Sequence, residues 1–265
     1  MLPKMLKSCV FQEPSSIYTK AFYGLTILAV GYLGISEAIG KHLGYSKFWN
    51  SGSNTQILLP SKVGMLLAYT PSLLAGVSSF WVFPNDDGGI RFLMLKSAIT
   101  IHFLKRDLEV LFLHKFSGYM VLNTALIISS TYLTSAASMI YIQHRVQGFP
   151  EPSVDLKYLG ILVFLVGIVG NFYHHYLLSK LRDKNDKGYT IPRGGLFSLV
   201  VCPHYLFEIL TFIGFSLISQ TLFSYLCTAG SAAYLLARSS ATRNWYHSKF
   251  EDFPKNVKAL IPYVF

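Results

Sequence analysis

Charge is scarce in this chain. Only 14% of its 265 residues are Asp, Glu, Lys or Arg, where a soluble domain carries roughly 25%. So few charges do not cover a water-facing surface, which argues against an ordinary soluble domain. Cysteine is scarce too. Cys9, Cys202 and Cys227 have neither metal nor redox spacing, so no disulfide framework or zinc site is expected. No Gly-x-Gly occurs anywhere, which excludes a soluble-type Rossmann nucleotide site. The eight histidines form no HxxxH or HxxHH box, so we expect no metal. No basic run is interleaved with aromatics, so we expect no nucleic acid.

What is present is apolar and aromatic. Hydrophobic residues make up 52% of the chain and aromatics 15%. Seven apolar segments are long enough, or nearly so, to cross a ~30 Å hydrocarbon layer. They lie near 20–39, 63–83, 92–113, 118–142, 156–179, 196–218 and 219–238, the last two joined almost without a loop. A membrane leaves backbone groups only internal partners, so each segment should be a helix. We therefore expect an all-α fold, a polytopic membrane bundle of about seven transmembrane helices. It should form one membrane domain over 1–265, with membrane lipids as its surroundings. The basic start from Met1 to Lys20 lacks a clear cleavage site, so we expect the first span to be retained.

The net charge is +10. Lys41, Lys47 and Lys62 follow the first span; Lys180, Arg182, Lys184, Lys187 and Arg193 follow the fifth; Arg243, Lys249, Lys255 and Lys258 are in the tail. In a seven-span arrangement these groups share one side. The positive-inside rule makes that side, and the C-terminus, cytosolic. Lys4, Lys7 and Lys20 at the N-terminus run against the rule.

Ionisable groups inside a span each cost about 2.5–3.5 kcal/mol at the membrane centre on insertion scales, so they mark candidate cavities. His102, Arg106 and Glu109 lie at i, i+4 and i+7, on one helix face. They read either as a cavity stripe or as an Arg–Glu pair near a helix end. Asn171, His174 and His175 share a face at i, i+3 and i+4, as ligand-facing donors or interhelical hydrogen bonds. The Gly/Pro-broken stretch from Gly188 to Gly195 stands beside basic residues and suits a phosphate or pyrophosphate. Cys202-Pro203-His204-Tyr205 follows it, with Glu208 one turn beyond Tyr205. A Tyr there can donate a proton or hydrogen bond to a carbonyl. Arg238, Thr242, Trp245 and Tyr246 share a further face, as a ligand site or a juxtamembrane anchor.

At these residues the sequence resembles the steroid 5α-reductase family, which includes the trans-2-enoyl-CoA reductases and polyprenol reductase. The resemblance is carried by GNFYHHYLLSKLR, GYTIPRGGLF, CPHYLFE and the ending KFEDFPKNVKALIPYVF, with weaker similarity at IHFLKR and LEVLFLHKFSG. The stretch 115–265 would hold the family's C-terminal reductase region. The resemblance implies a multi-pass endoplasmic reticulum enzyme that uses NADPH to reduce a double bond conjugated to a carbonyl. The substrate would be lipid-like: a steroid, an isoprenoid or an acyl-CoA.

Carried over by motif, cofactor contacts would include Asn171, Arg182, Tyr189, His204, Arg238 and Tyr246. To these we add Arg106, His175 and Glu208 from the polar faces. His175 stands where the family has an Asp, and His204 where it has an Asn. Steroid reductases carry a catalytic Glu in a QELP-like stretch; here that stretch is Ala68-Tyr69-Thr70-Pro71, so Tyr69 takes its place. Their HYxxR Tyr is Phe103 here. The enoyl-CoA reductases' LETLFVHRFS and CPNY map a Glu and a Tyr onto Glu109 and Tyr205. Candidate catalytic residues are thus Tyr205, Glu109, His102 and Tyr69. An isoprenylcysteine-type methyltransferase is a rival, but its Arg-His-Pro order is missing. A non-catalytic family member is another rival, motivated by Tyr69 and Phe103.

Overall fold

The structure, a computed structural model, describes residues 7–13, 16–48, 56–84, 89–116, 118–181 and 190–265. Among them are seven long helices: α1 (Ile17–Ala38), α2 (Ser61–Val82), α3 (Gly89–Leu108), α4 (Leu122–Arg145), α5 (Lys157–Lys180), α6 (Pro203–Ser219) and α7 (Leu222–Lys249). The fold is an all-α membrane bundle. Of the seven, α1, α2, α4 and α5 are long and apolar enough to cross a membrane by length and composition. The α3 helix carries too many charges for that description, and α6 is shorter, at 17 residues.

The polarity of the bundle is inverted relative to a soluble protein. The outer faces of α1 and α5 expose Leu25, Leu28, Ile35, Leu162, Val166 and Val169, while Glu37, Asn171, His174 and His175 are buried. Lipid tails solvate the former; polar groups need protein partners and turn inward.

Helix pairing depends on small residues. Gly160 and Gly167 of α5 lie against Ile218 and Thr211 of α6, and a Cβ at either would come within 2.6 Å of α6 backbone. Gly214 answers from α6, where a Cβ would meet the Phe164 backbone at 2.7 Å. Such close approach supplies the dispersion contact that the hydrophobic effect does not provide between helices in lipid. Gly230 of α7 similarly admits Val30 of α1.

The sixth and seventh segments separate at a corner of two residues. Gln220 takes a left-handed backbone (φ 51°), and Thr221 caps α7 by accepting the Ser224 N–H. The Gln220 side chain is fully buried. Its amide donates to the carbonyls of Cys9 and Val154, and its oxygen accepts from the Leu156 N–H, each at 2.8 Å. The sixth helix starts at Pro203 rather than near 196, because a 3₁₀ turn (Gly195–Ser198) and the non-helical stretch to Cys202 precede it. The seventh runs on to Lys249, well past 238.

At the other end, two short strands, Leu58–Pro60 (β1) and Tyr119–Val121 (β2), pair antiparallel at the starts of α2 and α4. The C-terminal tail folds back beneath the bundle. Val201 and Cys202 donate to the Lys258 and Ala259 carbonyls at 2.8 and 3.1 Å, and Phe253, Val257 and Leu260 form a small core with Tyr246.

Candidate active site

The α3 helix ends in a π-helical turn, Glu109–Leu113. Its closing bond runs from the His114 N–H to the Glu109 carbonyl, at 2.8 Å. Single π turns recur at functional sites, because they re-aim the side chains around them.

Around this turn lies a buried charge network. The Arg106 Nη1 donates to Glu109 Oε2 at 2.9 Å and lies 3.1 Å from His175 Nδ1. Both Glu109 carboxylate oxygens lie 3.1 Å from the same Nδ1. Lys105 adds a second cation on Glu109, at 2.9 Å. The Arg106 Nη2 donates to the Tyr69 hydroxyl, and the guanidinium lies 4.6 Å from the Tyr69 ring centroid. Because the Tyr69 oxygen accepts from a cation, its own O–H remains available to another acceptor and is polarised. Pro71 lies inside α2, two residues beyond Tyr69.

A cavity of about 470 Å³ is lined by Tyr69, Arg106, His175, His204, Tyr205 and Glu208, together with apolar side chains of α1, α4 and α7. A second, of about 260 Å³, is lined by Lys47, Phe48, Thr190, Cys202, Arg238, Thr242 and Tyr246. Tyr45, Ser46, His114, Phe116, Leu178, His204 and Tyr205 line both, so the two spaces meet at one wall. Burial pushes the Cys202 thiol up to about 12, despite Lys47 nearby, which makes it an inert part of that wall.

The expected residues divide into three groups. Tyr69, Arg106, His175, His204, Tyr205 and Glu208 face the larger cavity; Arg238 and Tyr246 face the smaller. Glu109 and Asn171 stand behind the cavity walls. Asn171 accepts from Lys105 and donates to the His204 carbonyl at 2.7 Å, thereby fixing His204. His102 is not brought to either cavity. Its ring packs among Phe103, Phe212 and Phe215. At that level α3 and α6 close on each other through aromatic rings, and the cavity opens only one turn further along. Arg182 and Tyr189 lie outside the described residues. His174 is committed to structure: with Nδ1 2.7 Å from the Gly170 carbonyl, its Nε2 accepts from the Leu196 N–H at 3.1 Å.

Arg238 is less exposed than its sequence context suggests. It pairs with Glu37 at 2.9 Å and lies between the Tyr45 and Phe48 rings, at 4.4 and 4.1 Å. Lys47 sits over the Tyr246 ring at 4.4 Å.

Sequence reasoning missed Tyr132, His114 and Glu37. Tyr132 donates to Glu208 at 3.2 Å and packs on Tyr69 and Phe103. A lone Tyr within an apolar span carries no local signal. His114 follows a π turn, which helical periodicity does not register. Glu37 pairs with His42 five positions on, but the partner that ties it to the site, Arg238, is 201 positions away.

A family model described as 3-oxo-5-alpha-steroid 4-dehydrogenase matches residues 110–265, more than half of the chain. The chain belongs to this family. It is 33% identical over 168 residues to a very-long-chain enoyl-CoA reductase of Dictyostelium discoideum, covering 62% of this chain and 55% of that protein. It is 41% identical over 105 residues to rat 3-oxo-5-alpha-steroid 4-dehydrogenase 1, covering 40% of each. Human 3-oxo-5-alpha-steroid 4-dehydrogenase 2 is 27% identical over 244 residues, covering 91% of this chain and 94% of that protein. In the first two alignments the chain spans only about half, and two fifths, of its relatives' lengths.

Proposed function

We propose that this protein is an NADPH-dependent reductase of a carbon–carbon double bond conjugated to a carbonyl in a lipid substrate. We place it in the endoplasmic reticulum membrane with its C-terminus cytosolic, an orientation that rests on its basic loops and tail. The observation that carries the activity is the meeting of two cavities at the His204–Tyr205 wall. One is largely apolar, with polarised donors at one place; the other is bounded by cations and aromatic rings.

The smaller space fits a nucleotide. Lys47 and Arg238 suit a phosphate-bearing ligand, Phe48 and Tyr246 offer aromatic faces, and the buried His204 Nδ1 has no partner among the described residues. Lys47, Arg238, Thr242, His204 and Tyr246 would hold the cofactor, with Glu208 and His175 toward its reactive end; Arg182 and Tyr189 are proposed contacts from sequence alone. When bound, the reduced nicotinamide supplies a hydride to the carbon β to the carbonyl.

The chain's own groups stabilise the negative charge that then develops on the carbonyl oxygen. Tyr69 is the donor, with Arg106 holding its oxygen so that the hydroxyl hydrogen turns to the substrate. Glu109 and His175 fix Arg106. Tyr205 offers a second phenol on the shared wall, where the family's enoyl-CoA reductases carry theirs. Tyr132 lines the substrate cavity, with Phe103 packed behind it.

A 4-en-3-one steroid or related isoprenoid is the substrate class we favour. A trans-2-enoyl thioester is the second, supported by Glu109, Tyr205 and the similarity to the Dictyostelium protein. The test is NADPH titration of the purified protein, then NADPH consumption with both substrate classes. Saturable NADPH binding and turnover of one class are expected. A folded protein with no affinity for NADPH or NADH would end the assignment.

A further inference from the structure

The proposed reduction needs a proton as well as a hydride. Hydride addition at the β-carbon shifts the double-bond electrons toward the carbonyl, leaving an enolate. A new C–H bond must then form at the α-carbon, from a proton that reaches the buried site from water.

His114 is placed for this. In an α-helix, residues five apart point about 140° away from each other. The π turn cancels that offset and stacks His114 next to Glu109. Glu109, His114 and His175 each turn one nitrogen or oxygen to within 4.8 Å of the other two. The His114 and His175 rings meet edge-on at 4.9 Å between centroids. Glu109 already meets His175 Nδ1 at 3.1 Å, and the wider gap from this pair to His114 suits a single bridging water with three polar partners. His114 lines both cavities, its neighbour Lys115 is exposed, and His175 and Glu109 are deeply buried. The cluster therefore runs from the protein surface to the wall where the two cavities meet. A divalent ion is a poor occupant, since Lys105 and Arg106 already pair with the Glu109 carboxylate.

We propose that Glu109, His114 and His175 form a proton relay, with His114 passing a proton from solvent toward the substrate α-carbon. The inference rests on the reductase reading. One ring nitrogen of His114 releases its proton inward while the other takes one from water at the mouth, so the imidazole ends each cycle neutral. Glu109 and His175 orient the bridging water. Lys105, Arg106 and Lys115 from its own segment, Lys47 from the loop after α1, His204 from α6 and Tyr69 from α2 surround it. Burial lowers the His114 pKa to about 4, with Arg106 and Lys105 pushing the same way and Glu109 opposing, so the resting imidazole is neutral near pH 7.

The test uses the full-length protein in detergent with NADP⁺, which carries no hydride. The probes are a saturated 3-ketosteroid and a saturated acyl-CoA in D₂O. Mass spectrometry follows deuterium entering the α-carbon, the reverse of proton delivery. Wild-type protein should exchange one probe; His114→Gln and His114→Ala should slow exchange at least 10-fold with NADPH affinity kept. Added imidazole should restore exchange in His114→Ala. Unchanged exchange in both variants overturns the relay. So does a wild-type protein that binds NADPH but exchanges neither probe, or a loss that imidazole leaves in place and that tracks NADPH affinity. Absence of NADPH binding by the wild type instead sinks the reductase reading itself, and the relay with it.

Discussion

Two buried arginines sit at opposite ends of α3, about 22 Å apart by helical rise, and they serve differently. Arg91 is fully satisfied. It donates to the Ile218 carbonyl at 2.7 Å, Gln220 at 2.9 Å, Glu151 at 3.0 Å and Asp155 at 2.7 Å, and faces Phe11. Arg106 is left open. Its Nε has no partner among the described residues, and a cavity lies beside it. Closed networks tie chain segments together; open ones hold groups ready for something that arrives. Arg91 joins the N-terminal segment, the α4–α5 loop and the α6–α7 corner. Arg106 arms Tyr69.

This contrast is best broken by parallel substitutions. Arg106→Met should lower kcat by about 10³-fold, since it removes the support of the carbonyl donor and one partner of Glu109. Arg91→Met should leave kcat per folded molecule within about threefold while lowering Tm. Turnover normalised to the folded fraction separates the two. Equal losses of kcat in both variants would erase the distinction.

Tyr69→Phe sharpens the same point with a single atom. Loss of one donor to a developing oxyanion costs about 10²-fold in kcat, and NADPH affinity measured by fluorescence should hold within about twofold. Unchanged kcat would move the donor role to Tyr205.

Gln220→Ala tests the closed end. It strips the side-chain partner from the Cys9 and Val154 carbonyls and the Leu156 N–H, and leaves Arg91 Nη1 with the Ile218 carbonyl alone. Each buried orphan costs about 1–3 kcal/mol, less where water enters. A clear fall in Tm with unchanged kcat is expected.

The smallest effect concerns pH. His114 titrates at about 4 in the folded protein and near 6.5 when unfolded. Between these values the unfolded chain binds more protons, so stability rises with pH across that window and is lost on acidification. His114→Gln should flatten the slope of Tm against pH between about 4 and 6.5. Asp155 acts in the same direction, at lower pH. Burial opposes its charge, but hydrogen bonds from the Lys157 side chain and backbone, with Arg91 nearby, hold its pKa below the ordinary range. Its stabilisation is present above the unfolded pKa and fades only as pH falls through the lower folded one.

The apolar runs near 20–39, 63–83 and 156–179 coincide with α1, α2 and α5 to within a few residues. Run length is a local property, and a bilayer converts it directly into a helix. The motif around Tyr205 and Glu208 was legible for the same reason, because its residues are neighbours in the chain. His102 shows the limit. Its spacing to Arg106 and Glu109 puts it on their face, but the α3–α6 packing fills its level with phenylalanines. Face is a property of one helix; what lies opposite is not.

The sequence alone determined the helical, membrane-bound class, the approximate number of spans and the residues that tie the chain to its family. Apolar length and local motifs suffice for these. Tertiary structure decided which polar groups meet: Tyr69 with Arg106, Tyr132 with Glu208, Glu37 with Arg238, and His114 with Glu109 and His175. Most of these partners are separated by 37 to 201 residues, and the π turn that aligns Glu109 with His114 breaks the periodicity a sequence reader relies on. Helix packing supplies the proximity, and no local pattern encodes it.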